Sequence, residues 1–300
     1  MKLLLTGASG FLGWHICQQI PPQFEVHGVY YRQNYAHQQV HWHKCNLLEE
    51  KDLSKMFNEL KPDIVVHAAA IANANFCEEH PALSYHVNVY STIALAELCE
   101  AANIPLLFIS SDLVFNGNNA PYEEEDFPFP ISRYGEQKLA AEEALLDDFK
   151  KTMVCRLPLL FGFGPDYSNC FFKAWLTALK KGEAITAFTD EYRTPISANT
   201  AAKGIWKCID YLQKTAISPE NHLIHLGGKE RISRYELAQL MATVFEIENP
   251  KIERALRKDA ALLAPRPEDV SLVSNLAAKL LNFAPLSIEA QLLALKNEAV

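Results

Sequence analysis

The chain has 300 residues, 49% of them hydrophobic, and a net charge of −8. That length holds one large α/β domain, or one domain with a smaller companion. The acidic balance excludes a general affinity for nucleic acid or anionic membrane, so an anionic ligand must be held by local Arg, Lys and backbone donors. No apolar run approaches the ~18 residues of a membrane span. The run after Met1 ends at Thr6-Gly7, too short for the core of a signal peptide.

In chain order, the first half alternates strand and helix patterns. Strands are expected at Lys2–Thr6, Glu25–Tyr30, Val40–Cys45, Ile64–His67, Leu106–Ser110 and Met153–Arg156, and helices at Leu12–Ile20, Glu50–Leu60, Pro81–Ala102 and Ser132–Asp148. Apolar strands separated by amphipathic helices imply a parallel sheet covered on both faces. After about residue 160 the pattern turns helical, at Asn169–Lys181, Ala198–Gln213 and Arg234–Phe245. One apolar strand, His222–Leu226, is expected to return to the main sheet, and a last helix lies near Ser287–Asn297. The fold class expected is a doubly wound α/β sheet of Rossmann type over residues 1–160, with a smaller α+β substrate-binding region over 161–300.

Between the first strand and helix lies Thr6-Gly7-Ala8-Ser9-Gly10-Phe11-Leu12-Gly13. Strand, glycine turn and helix in that order make a dinucleotide pyrophosphate site. Gly7 permits the tight turn, Gly10 lets backbone N–H groups approach phosphate, and Gly13 lets helix and strand pack closely. The second strand ends Val29-Tyr30-Tyr31-Arg32, without the acid that binds a ribose 2′-hydroxyl. Arg32 suits a 2′-phosphate, which favours NADP(H) over NAD(H); the alternative is a solvated loop residue.

Tyr134 and Lys138 stand one helical turn apart and share a face. A lysine ammonium beside a phenol lowers its pKa and readies it to pass a proton to a carbonyl oxygen. Ser111, at the carboxyl end of an apolar strand, can polarise the same oxygen. Seven cysteines, with no CxxC pair, fit reduced thiols in a cytoplasmic protein. His41, His43 and Cys45 alternate along one strand, but a metal site there lacks a nearby fourth ligand, and no metal is expected.

The glycine loop, His67-Ala68-Ala69-Ala70, Asn88-Val89, Ser110-Ser111-Asp112 and Tyr134/Lys138 together resemble the extended short-chain dehydrogenase/reductases. The segments at 110–117, 121–126 and 134–140, with Arg266-Pro267, most resemble the dTDP-4-dehydrorhamnose reductase branch. The resemblance implies catalytic roles for Ser111, Tyr134 and Lys138. It implies a coenzyme site at Gly7, Ser9, Gly10, Phe11, Leu12, Gly13, Arg32, Asn46, Leu47, Ala68, Ala69, Ala70 and Asn88, with Tyr134 and Lys138. It implies a substrate site at Asp112, Val114, Phe115, Arg193 and Arg266, the two arginines meeting a nucleotide diphosphate. Sugar dehydratases of the family resemble one another in carrying Asp-Glu where this chain has Asp112-Leu113, so dehydration is disfavoured. The function implied is NADP(H)-dependent reduction of a keto nucleotide sugar. Epimerisation, or a non-catalytic NADP-binding subunit resembling the regulatory subunit of methionine adenosyltransferase, are the alternatives. A homodimer is the assembly considered. Leu157-Pro158-Leu159-Leu160-Phe161 departs from the more polar pattern of the rhamnose reductases, which leaves the sugar open.

Overall fold

A computed structural model describes residues 1–33, 37–168, 170–215 and 222–298. Seven strands form one parallel sheet: β1 (Lys2–Thr6), β2 (Glu25–Tyr30), β3 (Val40–Lys44), β4 (Ile64–His67), β5 (Leu106–Ser111), β6 (Thr152–Leu157) and β11 (Leu223–His225). Their order is β11-β6-β5-β4-β1-β2-β3. The chain winds outward one way from β1 and the other way from β4, so the order reverses between these two strands. In an open parallel sheet the ligand crevice lies at that reversal, beyond the carboxyl ends. Thr6 of β1 stands in register with His67 of β4 there.

Alternation along each strand divides the core. Leu3 and Leu5 face a cluster with Ile16 of α1 (Phe11–Cys17) and Ile205 and Cys208 of α8 (Ala198–Lys214). Leu4 and Val65 face the other side, with Leu53 of α2 (Glu50–Leu60), Leu95 of α5 (Ser91–Ala102) and Leu145 of α6 (Arg133–Asp148). A third cluster gathers Phe161, Phe172 of α7 (Phe171–Lys180), Leu237 of α9 (Arg234–Val244) and Leu292 of α11 (Ile288–Glu298). The late strand does return: β11 pairs with β6, and α8 covers the sheet. The expected division at residue 160 is therefore interleaved in space.

The helix expected over 81–102 runs continuously but is not uniform, because a π-helical turn is inserted in it. Its first turn, α4 (Pro81–Tyr85), passes through the π-helical turn at His86–Tyr90 directly into α5, and a separate short helix, α3 (Ala74–Glu79), comes before it. Pro81 starts α4, where its missing N–H costs nothing. The wide turn carries Asn88, and such bulges mark functional sites. The first helix stops at Cys17 rather than Ile20, ahead of Pro21-Pro22. Helix α10 (Asn275–Leu281) and two of the three small two-stranded sheets, Leu160–Phe161 with Ile196–Ser197 and Tyr192–Arg193 with Ile232–Ser233, had no sequence signal. The expected start of α7 at Asn169 lies outside the described residues.

Candidate active site

The glycine turn is shaped by what surrounds it. Gly7 sits at φ +68°, and a Cβ there would lie 2.6 Å from the backbone nitrogen of Ala69. A Cβ on Gly13 would lie 2.2 Å from the Gly7 carbonyl oxygen, and one on Gly10 3.1 Å from it. The turn, α1 and the Ala68–Ala69 backbone are thus in direct contact, leaving a cradle of backbone groups that a side chain would fill. This fits the pyrophosphate of a dinucleotide. Thr6 Oγ1 lies 2.6 Å from His67 Nδ1 and accepts from the Ala69 N–H at 3.3 Å, which ties the two loops. His67 is wholly buried, and burial lowers its pKa to about 3, so it stays neutral.

A segment unmarked in the sequence covers the turn. Tyr167 donates to the Ser9 carbonyl at 3.0 Å, and Gly164 comes close enough to the Phe11 ring that a Cβ would lie 2.6 Å from it. Phe11 and Leu12 are half-buried, as are Ala68, Ala69 and Ala70. Arg32 is exposed on the bend after β2. Asn46 accepts from the Leu48 N–H at 3.2 Å, and Leu47 packs on the core. Asn88 is buried behind the β4 loop. Its carbonyl oxygen accepts from Ile71 N–H at 2.8 Å and its amide donates to Gln137 at 2.8 Å. It supports the loop through Gln137, a residue with no sequence signature.

Three chemistry-bearing side chains converge at the end of β5. Ser111 caps a single 3-10 turn, Asp112–Val114, accepting from Leu113 N–H at 3.2 Å and donating to Asp112 Oδ1 at 3.1 Å. Helix α6 begins at the cap Ser132, and a Cβ on Gly135 would lie 2.2 Å from the Leu113 carbonyl. That close approach seats the first turn of α6 on the Ser111 turn and puts the Tyr134 phenol in hydrogen-bonding contact with Ser111. One turn on, Lys138 donates to the Ile109 carbonyl at 2.8 Å and lies 4.5 Å from the centre of the Phe108 ring.

The pKa shifts correct one expectation. Burial pushes the Tyr134 phenol well above the usual range, and Asp112 and Cys77 push it further, against the Ser111 hydrogen bond. Lys138 does not lower it. Burial brings Lys138 itself down to about 8, while Glu142 and Cys77 favour its charge. Tyr134 is enclosed by Ala74, Cys77 and Ala264, and desolvation is the largest cause of its shift. Tyr134 is therefore protonated at neutral pH, the form that gives a proton away.

Asp112 is also buried, which raises it to about 6 against the opposing pull of Arg193. Arg193 Nε stands 3.5 Å from Asp112 Oδ2, an ion pair too long to count as a hydrogen bond, and Oδ2 accepts none. Arg193 Nη2 lies 3.3 Å from Glu191. Val114 and Phe115, expected to line the substrate site, are wholly buried with Tyr122, Val270 and Leu272. Phe115 stacks on Tyr122 at 4.0 Å, so these two side chains fill core. Arg266 is half-buried on the segment whose Ala264 donates to Asn75 at 3.2 Å.

Among the described residues, no three His, Cys, Asp or Glu side chains gather as metal ligands. His43 instead meets His27 at 2.9 Å, and Cys45 packs in the core. No described helix is long and apolar enough to cross a membrane. None of the seven cysteines is in a disulfide; six are buried and Cys170 is half-buried.

Similarity extends over most of the chain. Methionine adenosyltransferase 2 subunit beta of Danio rerio is 27% identical over 275 residues, 90% of this chain and 82% of its own. A hypothetical dTDP-4-dehydrorhamnose reductase from Sulfolobus tokodaii is 29% identical and superposes with a TM-score of 0.81, covering 96% of this chain and 98% of its own. A dTDP-4-dehydrorhamnose reductase from Clostridium acetobutylicum is 25% identical, with a TM-score of 0.85 over 100% of this chain and 99% of its own. The family described as the RmlD substrate binding domain matches residues 1–299, and the chain belongs to that family.

Proposed function

We propose that the protein is an NADP(H)-dependent reductase of a 4-keto nucleotide sugar. The observation that carries this reading is the meeting of Ser111, Tyr134 and Lys138 at the carboxyl end of β5, beside the switch point of the sheet. The glycine turn and the Ala68–Ala70 loop would hold the coenzyme, with Arg32 toward a 2′-phosphate. When bound, a nicotinamide coenzyme supplies hydride. The chain's own residues do the rest. Ser111 donates a hydrogen bond to the substrate carbonyl oxygen and holds it. Tyr134, kept protonated by burial, gives that oxygen its proton. Lys138 stays close enough to its neutral point to exchange a proton with the phenol or to bind ribose hydroxyls. The proteins of known structure with similar chains include dTDP-4-dehydrorhamnose reductases, which supports this substrate class.

The test is NADPH oxidation, compared with NADH, against a panel of 4-keto sugar nucleotides. Tyr134→Phe is expected to lower kcat by about 100- to 10,000-fold. Equal turnover by the variant removes Tyr134 from the mechanism. The similarity to methionine adenosyltransferase 2 subunit beta supports a second reading, an NADP-binding subunit of another enzyme. It predicts no NADPH consumption on any sugar, together with stoichiometric capture of a methionine adenosyltransferase.

A further inference from the structure

The Ser111 hydroxyl has one proton and two lone pairs to place. It accepts from the Leu113 N–H at 3.2 Å and donates to Asp112 Oδ1 at 3.1 Å. An ionised carboxylate only accepts, so with Asp112 charged the Ser111 proton points at Asp112. It is then turned away from the carbonyl oxygen that Ser111 has to hold. Protonation of Asp112 reverses the direction. The carboxyl O–H then donates to Ser111 Oγ. Leu113 N–H and Asp112 O–H fill the two lone pairs of the hydroxyl, and its own proton is released toward a ligand.

The surroundings of Asp112 favour that neutral form. Asp112 is 3% exposed, and its Oδ2 is shut off from solvent without a hydrogen bond. A buried carboxylate oxygen that lacks a donor disfavours the charged state. The ionisable groups that face it are Arg193 and Glu191 on one side and the Tyr134 phenol of α6 on the other. Arg193 stands 3.5 Å from Oδ2 and divides its charge with Glu191 at 3.3 Å. Arg234 lies behind them, close enough to feel both. Lys138 is engaged elsewhere, donating to the Ile109 carbonyl. Burial dominates and sets Asp112 at about 6. Arg193 also selects the oxygen that carries the proton. Its cation attracts the carbonyl-type Oδ2, which leaves the O–H on Oδ1, facing Ser111.

We propose that Asp112 is a positioning residue whose protonated form turns the Ser111 hydroxyl toward the substrate carbonyl, so that reduction proceeds through the neutral carboxyl. Asp112 has this role only if Ser111 holds a reducible carbonyl, so the inference rests on the reductase reading. Asp112 keeps its proton throughout, and the proton delivered to the oxygen is that of Tyr134. The Ser111 hydrogen bond strengthens as that oxygen becomes anionic, so its loss falls on kcat rather than on KM. The sign follows. Activity is full below the Asp112 ionisation and falls as pH rises through it. Tyr134 gives no such limb, because it stays protonated well above this range, and Lys138 titrates at about 8.

The experiment is the pH dependence of kcat and KM for NADPH oxidation by the parent chain and by Asp112→Asn. The substrate is the 4-keto sugar nucleotide of the panel that the parent turns over fastest. The parent is expected to lose kcat about tenfold per pH unit between about pH 6 and about pH 7.5, with KM little changed. In Asp112→Asn the amide oxygen takes the Arg193 side and Nδ2 donates to Ser111 at every pH. Its kcat is expected to stay within about threefold over the same range, so the limb disappears. A role confined to packing would change the size of kcat and leave the limb in place. A parent profile that is flat or rises overturns the proposal without recourse to the variant, and so does an unchanged limb in Asp112→Asn. Infrared difference spectra of the free chain between about pH 7.5 and about pH 5 need no turnover. They are expected to show a buried protonated carboxyl band that Asp112→Asn lacks. Turnover by a parent without that band overturns the proposal and leaves the reductase reading standing. The band without turnover on any sugar removes the reductase reading, and the role given to Asp112 with it.

Discussion

Gly13 shows how much one hydrogen atom decides. A methyl group there would sit 2.2 Å from the Gly7 carbonyl, with no flexible neighbour to yield. Gly13→Ala is expected to lower stability by about 1–3 kcal/mol and to weaken NADPH binding together with it. Gly182 is the control. It has φ +71° but nothing within 4 Å, so Gly182→Ala costs about 1 kcal/mol and leaves coenzyme binding unchanged. Urea unfolding and NADPH fluorescence separate the two, and equal loss of coenzyme binding would refute the contact argument. The roles of Gly7 and Gly13 are legible in sequence because a strand, a turn and a helix next to one another set them. The protonation of Tyr134 is not. It depends on Ala264, which is 130 residues distant in the chain, closing over the phenol with Cys77.

Among the elements, α6 matters most, because it carries both Tyr134 and Lys138. Its far half is pinned to β6 by a buried pair in which Arg156 Nη2 donates to Glu142 at 2.6 Å and Nε at 3.1 Å. Arg156→Met would leave the buried Glu142 carboxylate without its hydrogen-bonded partner, only Lys138 remaining to attract it, and is expected to cost about 3–5 kcal/mol. The double change Arg156→Met with Glu142→Leu should recover most of that. Guanidinium unfolding of the three proteins checks it, and additive losses would show the pair to be incidental. The helix was readable from Ser132 to Asp148 because its cap and apolar spacing are local. The π-helical insertion in the helix before it was not. The π-helical turn at His86–Tyr90 leaves no periodic signature, since its purpose is to aim Asn88 at Ile71 and Gln137.

For the whole molecule, buried histidines set the response to acid. Burial lowers His15 to about 4, and His67 and His225 to about 3, from 6.5. Between pH 6.5 and about 4 the unfolded chain binds protons that the native chain refuses, so stability falls as pH falls. Each histidine contributes about 1.4 kcal/mol per pH unit there. Asp112 opposes them between about 6 and 3.8, since its raised pKa makes the native state the better proton binder. The net expectation is a loss of about 2–3 kcal/mol per unit near pH 5. A urea midpoint equal at pH 7.5 and pH 5 would contradict it. The amino-acid sequence alone determined the parallel sheet, the glycine turn and the Ser, Tyr and Lys set, because apolar period, turn chemistry and helical spacing act over a few residues. Only the tertiary structure decided that Arg193 pairs with Asp112 and Glu191, that Val114 and Phe115 fill core, and which way the Tyr134 proton is biased. Those outcomes depend on burial and on charges brought together from distant parts of the chain, and neither has a local signature.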